Sequence, residues 1–339
     1  MGTLYRVFEK IRGAPPVDFQ LIRDIEEPDS IAGRVGSKPL KPGQVYLEVY
    51  VESFRLKRAR KFATRFHGMI YSFFTLARAG MPSAEVASLS KPNKLAELDP
   101  DNLDRVITVE QQVMGRVPWR GGVLKIELGL FSIKSGNLLS PVLDYVTRVG
   151  MQGGISFLGQ VKPFLPLITE GLDLIAGQTK DVEIEVALDT DMNPETTQYL
   201  AIVAVPKSEI DTADLSLDPT DFQLLHKGRP LDEAYCVISL RASETKPDYG
   251  DIPELAAAFE VFRDALGRGK AADAQEALDA LTTTIRLSAD LIDNDKNIRI
   301  AEANDTFDVF FPGGLTSKRQ EKLVIPQTLY DLAKFRAAK

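Results

Sequence analysis

From Thr3 to about Arg241 short apolar runs alternate with polar positions at a period of two, the period of strands. The clearest run covers residues 45–56, V-Y-L-E-V-Y-V-E-S-F-R-L. There Val45, Leu47, Val49 and Val51 alternate with Tyr46, Glu48, Tyr50 and Glu52, which predicts a strand of a sheet with two unlike faces. The run V-E-I-E-V-A-L-D at residues 182–189 repeats that alternation. Further strands are expected over 4–11, 19–25, 66–77, 105–114, 123–133, 199–205, 222–226 and 234–241. Turn signals divide them at Pro15-Pro16, 39–43, Gly121-Gly122, Asn193-Pro194 and 228–230. Many short strands with Gly and Pro punctuation point to a β-sandwich or an open barrel.

Two stretches break this pattern. In residues 137–180 apolar positions recur near helical spacing, at Leu138, Val142, Tyr145 and Val149 and again at Leu165, Ile168, Leu172 and Ile175. Gly and Pro interrupt them, so two helices around a glycine hinge are expected. After Asp248 the period changes to that of helices. Leu255, Phe259, Phe262 and Leu266 mark one helix, and Ala274, Leu278, Leu281 and Ile285 a second, with G-R-G-K as the stop between them. A third helix is expected over 289–303. The fold class is therefore α+β: a β-rich body at 1–246 with a helical insertion at 137–180, a helical module at 247–309, and a basic tail at 310–339.

Composition adds bounds. A chain of 339 residues exceeds the size at which one core usually stops growing, and 44% hydrophobic with 26% charged residues is ordinary for a folded protein. The net charge of −7 disfavours nucleic acid and anionic lipid as general partners, so binding of either would need a local patch. The single cysteine, Cys236, forms no intramolecular disulfide, and M-G-T-L-Y-R-V-F-E-K lacks the apolar stretch of a secretory leader. A cytoplasmic location is the expectation.

One such patch exists. Residues 54–66, F-R-L-K-R-A-R-K-F-A-T-R-F, hold six cations and no acid. Arg55, Lys57, Arg58, Arg60, Lys61 and Arg65, interleaved with Phe54, Phe62 and Phe66, read either as an anionic-partner surface or as a solvated hairpin edge whose charge prevents aggregation. No recognition-helix, zinc-finger or RNA-platform motif accompanies the run, so a protein partner is favoured and nucleic acid is not. Trp119, the only tryptophan, stands with Arg116 and Arg120 in G-R-V-P-W-R-G-G, as a loop hot spot or as a plug over the end of the β body.

Segment 137–180 is too broken for a constitutive span, which needs about 20 apolar residues. It reads as helices packed across a sheet, or as an element, built on Leu138, Val142, Tyr145, Leu165, Ile168 and Leu172, released onto a partner or an anionic membrane after a trigger.

Catalytic chemistry has little footing. Asp189, Asp191, Asn193 and Glu195 resemble the start of a calcium loop, but Pro194 and Leu200 occupy the positions that need Gly and a bidentate Glu. His67 and His226 are the only histidines, and Cys236 lies in the apolar run A-Y-C-V-I-S-L. The glycines of I-A-G-R-V-G-S-K-P lack phosphate-loop spacing. The sequence thus calls for no catalytic residue, metal or cofactor. It reads as a non-enzymatic interaction or adaptor protein with a protein partner, or alternatively as a conditional membrane-active effector.

Overall fold

A computed structural model of the chain describes residues 19–25, 35–57, 60–61, 64–76, 83–89, 107–134, 182–206, 209–313 and 323–336. The chain divides into two units, the first Met1–Pro42 with Leu47–Ala242, the second Gly43–Tyr46 with Ser243–Lys339. The class is α+β, a β-rich body in three antiparallel sheets followed by C-terminal helices, and no strand path among the described residues closes into a barrel. The predicted helices at 137–180 and the predicted strand at 4–11 lie outside the described residues, with Arg58.

The strands are β1 (Gln20–Ile22), β2 (Tyr46–Arg55), β3 (Arg60–Lys61), β4 (Thr64–Leu76), β5 (Ala84–Leu89), β6 (Ile107–Pro118), β7 (Leu124–Lys134), β8 (Val182–Met192), β9 (Gln198–Val203), β10 (Leu215–Leu217), β11 (Leu224–His226), β12 (Arg229–Pro230) and β13 (Tyr235–Ser243). The first sheet runs β1-β9-β13-β2-β6. Its β9–β13 register sets Tyr235 opposite Val203, Val237 opposite Ala201 and Ser239 opposite Tyr199. Tyr199, Ala201, Val203, Tyr235 and Val237 form one core with Leu215, Leu217 and Leu224 of the small β10-β11-β12 sheet. The alternate positions Leu200, Ile202, Cys236, Ile238 and Leu240 are also buried. Both faces of these strands are therefore dry. Lys227 and Gly228, both at positive φ, form the two-residue turn that joins β11 to β12, as a right-twisted hairpin requires.

The second large sheet runs β3-β4-β7-β8, with β5 paired to β4 as well. β7 pairs β4 over eleven positions, from Phe66 opposite Lys134 to Leu76 opposite Leu124, and pairs β8 on its other side with a register shift at Leu130/Phe131. Residues 126–133 of β7 are all buried, so this central strand shows no exposed face along that stretch. The chain crosses from the first sheet to the second at β6–β7, where Gly121 and Gly122 take φ of 83° and 92°. A side chain at Gly121 would meet Pro42 at 3.2 Å, so the turn needs glycine for room as well as for conformation.

The second unit holds α1 (Pro253–Arg268), α2 (Ala271–Leu287), α3 (Asp293–Phe310) and the one-turn α4 (Ala333–Arg336). Pro253 opens α1, and Gly269 ends it in the left-handed conformation, its N–H donating to the Leu266 carbonyl at 3.2 Å. The third helix was expected over 289–303. It starts four residues later and runs to Phe310, because several of its inward positions are polar, Asp295, Glu302 and Thr306, and give no apolar stripe to read.

Asp295 is the centre of that polar interior. It is 1% exposed, accepts from the Tyr46 hydroxyl at 2.6 Å and from the Lys246 backbone N–H at 3.2 Å. The same Tyr46 oxygen accepts the Ile292 N–H at 3.1 Å, just ahead of α3. Burial, then the bond to Asp295, push the Tyr46 phenol well above its ordinary range. One turn along, the Arg299 guanidinium lies 3.9 Å over the Tyr249 ring and pairs with Glu302 at 2.8 Å. Burial pushes Tyr249 up to about 12.

Residues 323–336 belong to this unit. Leu329 and Leu332 are buried, the Tyr330 ring meets Tyr249 edge-on at 4.8 Å, and Thr328 with Asp331 forms a reciprocal capping box.

Two outcomes are expected. Tyr46→Phe strands the buried Ile292 N–H and leaves the Lys246 N–H as the remaining donor to that Asp295 oxygen, and should cost about 1–3 kcal/mol in chemical unfolding. Gly250→Ala places a Cβ 2.5 Å from the Tyr330 ring. It should cost about 1–3 kcal/mol by itself, as overpacking does, and much less in a Tyr330→Ala background. Equal costs in both backgrounds would contradict the clash.

Candidate interaction surfaces

The basic run folds at the end of β2 and into β3 and β4. Arg55 donates to the Leu231 carbonyl at 2.9 Å and pairs with Asp232, and Lys57 pairs with Glu233. The Lys57 backbone N–H donates to Glu185 on β8 at 3.2 Å. Two of the six cations thus have acidic partners within the first unit, supplied by the loop before β13. Arg60 opposes Arg65 and Lys61 opposes Thr64 across the β3–β4 pair, which brings three cations to one hairpin. Phe54 is buried, so of the aromatics in the run this one packs inward.

The β6–β7 turn differs from a loop hot spot. Trp119 is 2% exposed and its indole N–H donates to the Leu40 carbonyl at 3.2 Å, so the ring packs inside the turn rather than facing solvent. Arg116 is engaged by Glu48, 3.1 Å away, and Arg120 is half-buried.

Glu48 and Glu52 bring a further correction. The alternation of β2 predicts two unlike faces, one apolar and one polar, and the carboxylates of the polar one are buried as well, Glu52 at 0% exposure. Each is met by a flanking strand, Glu52 through one of its two oxygens. Glu48 accepts from Gln112 at 2.9 Å, from Arg116 and from the Tyr50 hydroxyl at 3.2 Å. Glu52 accepts from Arg241 at 2.7 Å and from the Ser239 hydroxyl. The Arg241 guanidinium also stacks 4.2 Å above the Tyr50 ring, closing a ladder of alternating sign across β6, β2 and β13. Burial works against the Arg241 charge, but Glu52 outweighs it and raises the group above its usual value. Burial first, then Glu48, raise Tyr50.

The remaining reactive side chains are equally occupied. Cys236 is wholly buried, and burial pushes its thiol up, which opposes thiolate chemistry. His226 lies 3.8 Å from Asp214, beside Lys227 at 3.3 Å from the same carboxylate. Asp189, from the acidic D-T-D-M-N run, pairs with Lys125 at 3.3 Å, and the same lysine reaches Glu127 at 3.4 Å. Among the described residues no group of three or more His, Cys, Asp or Glu is arranged to hold a metal, and no helix is long and apolar enough to cross a membrane.

A concave feature lies in the second unit. The end of α2 and one face of α3 line an open groove of about 600 Å³. Arg286 supplies its α2 wall. From α3 come Asp293, Lys296 and Asn297, then Ile300 and Ala301 as an apolar floor, then Asn304. Positions 293, 296/297, 300/301 and 304 share a helical stripe, so the groove follows the helix axis. The Asn304 amide donates back to the Ile300 carbonyl at 2.7 Å, which ties that side chain to its own helix. Leu287, next to Arg286, is 73% exposed. Sequence reasoning missed this groove because D-N-D-K-N-I-R-I-A-E-A-N has the composition of a solvated helix face. The one available signal was the recurrence of Asn and small residues at helical spacing.

Comparison of the chain with protein-family models, with curated proteins and with solved structures finds no match in any of the three.

Arg241→Ala leaves the Glu52 carboxylate buried without its cation. It should cost about 3–5 kcal/mol in denaturant unfolding, and Glu52→Gln in the same chain should recover part of the loss. A cost below about 1 kcal/mol would mean the pair behaves as a surface bridge.

Proposed function

We propose that this chain is a non-enzymatic interaction protein of the adaptor kind, which binds a protein partner through its helical unit, with the basic β3–β4 hairpin as a second contact. The observation that carries this reading is the groove of about 600 Å³ along α3. It is concave, mixed in polarity, and lined by side chains that repeat along one helix face, as a surface built to receive a chain segment would be. Support also comes from the way charge is spent elsewhere: Glu48, Glu52, Arg241, Asp295 and Glu302 are paired inside their own units. The cations Arg60, Lys61 and Arg65 share a hairpin, which suits contact with an acidic protein face.

Arg55 and Lys57 are left untouched in the test, because their removal would leave Asp232 and Glu233 without their cations and confuse folding with binding. Affinity purification from native lysate should capture a partner with the intact chain and lose it selectively with Ala301→Trp, which fills the groove floor. Replacement of Arg60, Lys61 and Arg65 by Ser should weaken capture in a salt-dependent way. A partner set identical for the intact and the groove-filled chain, both folded by circular dichroism, would refute the reading.

A further inference from the structure

The C-terminal residues 323–336 lie on the helical unit as a bound peptide would, and we infer that this docking is exchangeable: the surface they cover also receives residues 323–336 of a second copy of the chain.

The segment is organised largely from within. In L-V-I-P-Q-T-L-Y-D-L-A-K-F-R, Pro326, Leu329 and Leu332 are buried and Phe335 is half-buried, at intervals of three. That spacing puts the last three on one side of the 3₁₀ turn Leu329–Leu332 and its continuation in α4. The turn is shaped by the segment's own polar groups. The Gln327 N–H at 3.0 Å, the Thr328 N–H at 2.9 Å and the Thr328 hydroxyl at 3.0 Å all donate to the Asp331 carboxylate, and Lys334 pairs with it as well. A segment that holds its own shape loses less freedom on docking, which is the property of a good peptide ligand.

The surface beneath it is built to receive side chains. Gly250 leaves a notch, and the Tyr330 ring takes that space, 2.5 Å from where a Cβ would stand. There the ring meets Tyr249 edge-on at 4.8 Å, and its hydroxyl accepts the Gly250 N–H at 3.2 Å. Ile325 reaches α1 where Gly267 gives it room, its Cδ1 3.5 Å from where a Cβ would stand. Phe335 meets Phe310 of α3, with ring centroids 5.8 Å apart. One aromatic in a notch, flanked by apolar anchors, is how folded modules take up short peptides. Gly250, Gly267 and Phe310 do not line the α3 groove, so this surface is separate from that one and stands or falls independently of it.

The occupant whose fit is on view is the segment itself, and a second copy carries the same one. Residues 311–322, which join the segment to α3, reach about 40 Å at full extension, enough to set it on an adjacent copy. The same contacts then form between copies as within one, and a reciprocal exchange closes as a two-fold pair.

The test uses the full chain with its own segment disabled, Leu329→Asp with Leu332→Asp, and a fluorescein-labelled peptide of residues 323–336. By anisotropy the peptide should bind the disabled chain at least about tenfold tighter than the intact chain, because a site filled from its own chain is open only part of the time and the apparent affinity falls by that fraction. A peptide carrying the same two changes should not bind. If the double change disturbs folding by circular dichroism, Tyr330→Ala empties the notch in the chain and should still improve binding of the unaltered peptide. Exchange between copies is read by mixing the disabled chain, whose surface is open, with the Gly250→Ala chain, whose notch is closed and whose segment is free to dock elsewhere. Light scattering should show a one-to-one complex that neither chain forms with itself. Equal peptide affinity for the intact chain and for the folded disabled or Tyr330→Ala chain, equal binding of the altered and unaltered peptides, or a mixture without the complex would each overturn the inference.

Discussion

The first unit is organised by the demand that two carboxylates on a strand buried along both faces be neutralised in place. β2 lies between β13 and β6, and the residues that alternate with its apolar set are Glu48, Tyr50 and Glu52. Dehydrating a carboxylate costs several kcal/mol, which only a close cation and good hydrogen bonds can return. Arg116 of β6 and Arg241 of β13 do so from opposite sides, and Tyr50 between them accepts the Arg241 guanidinium on its face. A slip of β13 by one residue would turn Arg241 to the other face of the sheet and leave Glu52 unpaired. Apolar alternation would tolerate many pairings of these strands; the charge ladder singles out one.

The second unit holds its central acid with neutral donors. Asp295 is held by the Tyr46 hydroxyl and the Lys246 N–H, and that Tyr46 oxygen is itself engaged by the Ile292 N–H. The start of α3, which lacks a side-chain cap of its own, is thereby tied to two segments remote from it in sequence. The Arg299–Tyr249–Tyr330 stack extends the tie to the C-terminal segment. Cohesion here comes as much from polar geometry as from the apolar stripes of α1 and α2.

This division explains what could be read from the chain. The strands at 45–56, 123–133 and 234–241 follow from alternation or from unbroken apolar runs, and they match β2, β7 and β13 within two residues at each end. The helices α1 and α2 follow from apolar spacing and the Gly269 stop. The short β3, β5, β10 and β12 have no periodicity of their own, since two to six residues are too few to set one, and pairing with a longer neighbour decides them. The polar face of β2 was visible as a pattern, but not its burial, because burial depends on Arg116 and Arg241 arriving from strands far away in sequence. Which of the two readings of Trp119 applies was closed to the sequence for the same reason: the Leu40 carbonyl that its indole meets lies 79 positions earlier. The groove was hidden in a helix whose inward residues are partly polar.

Charge accounting is what separates scaffold from surface in this molecule. A charged side chain matched by a neighbour in its own unit has little left to offer a partner, and this removes Arg55, Lys57, Arg116 and Arg241 from the first rank of contact residues. The α3 groove differs in the kind of group it displays: carboxamides and a low apolar floor carry no net charge to be neutralised, and so keep their capacity for a backbone.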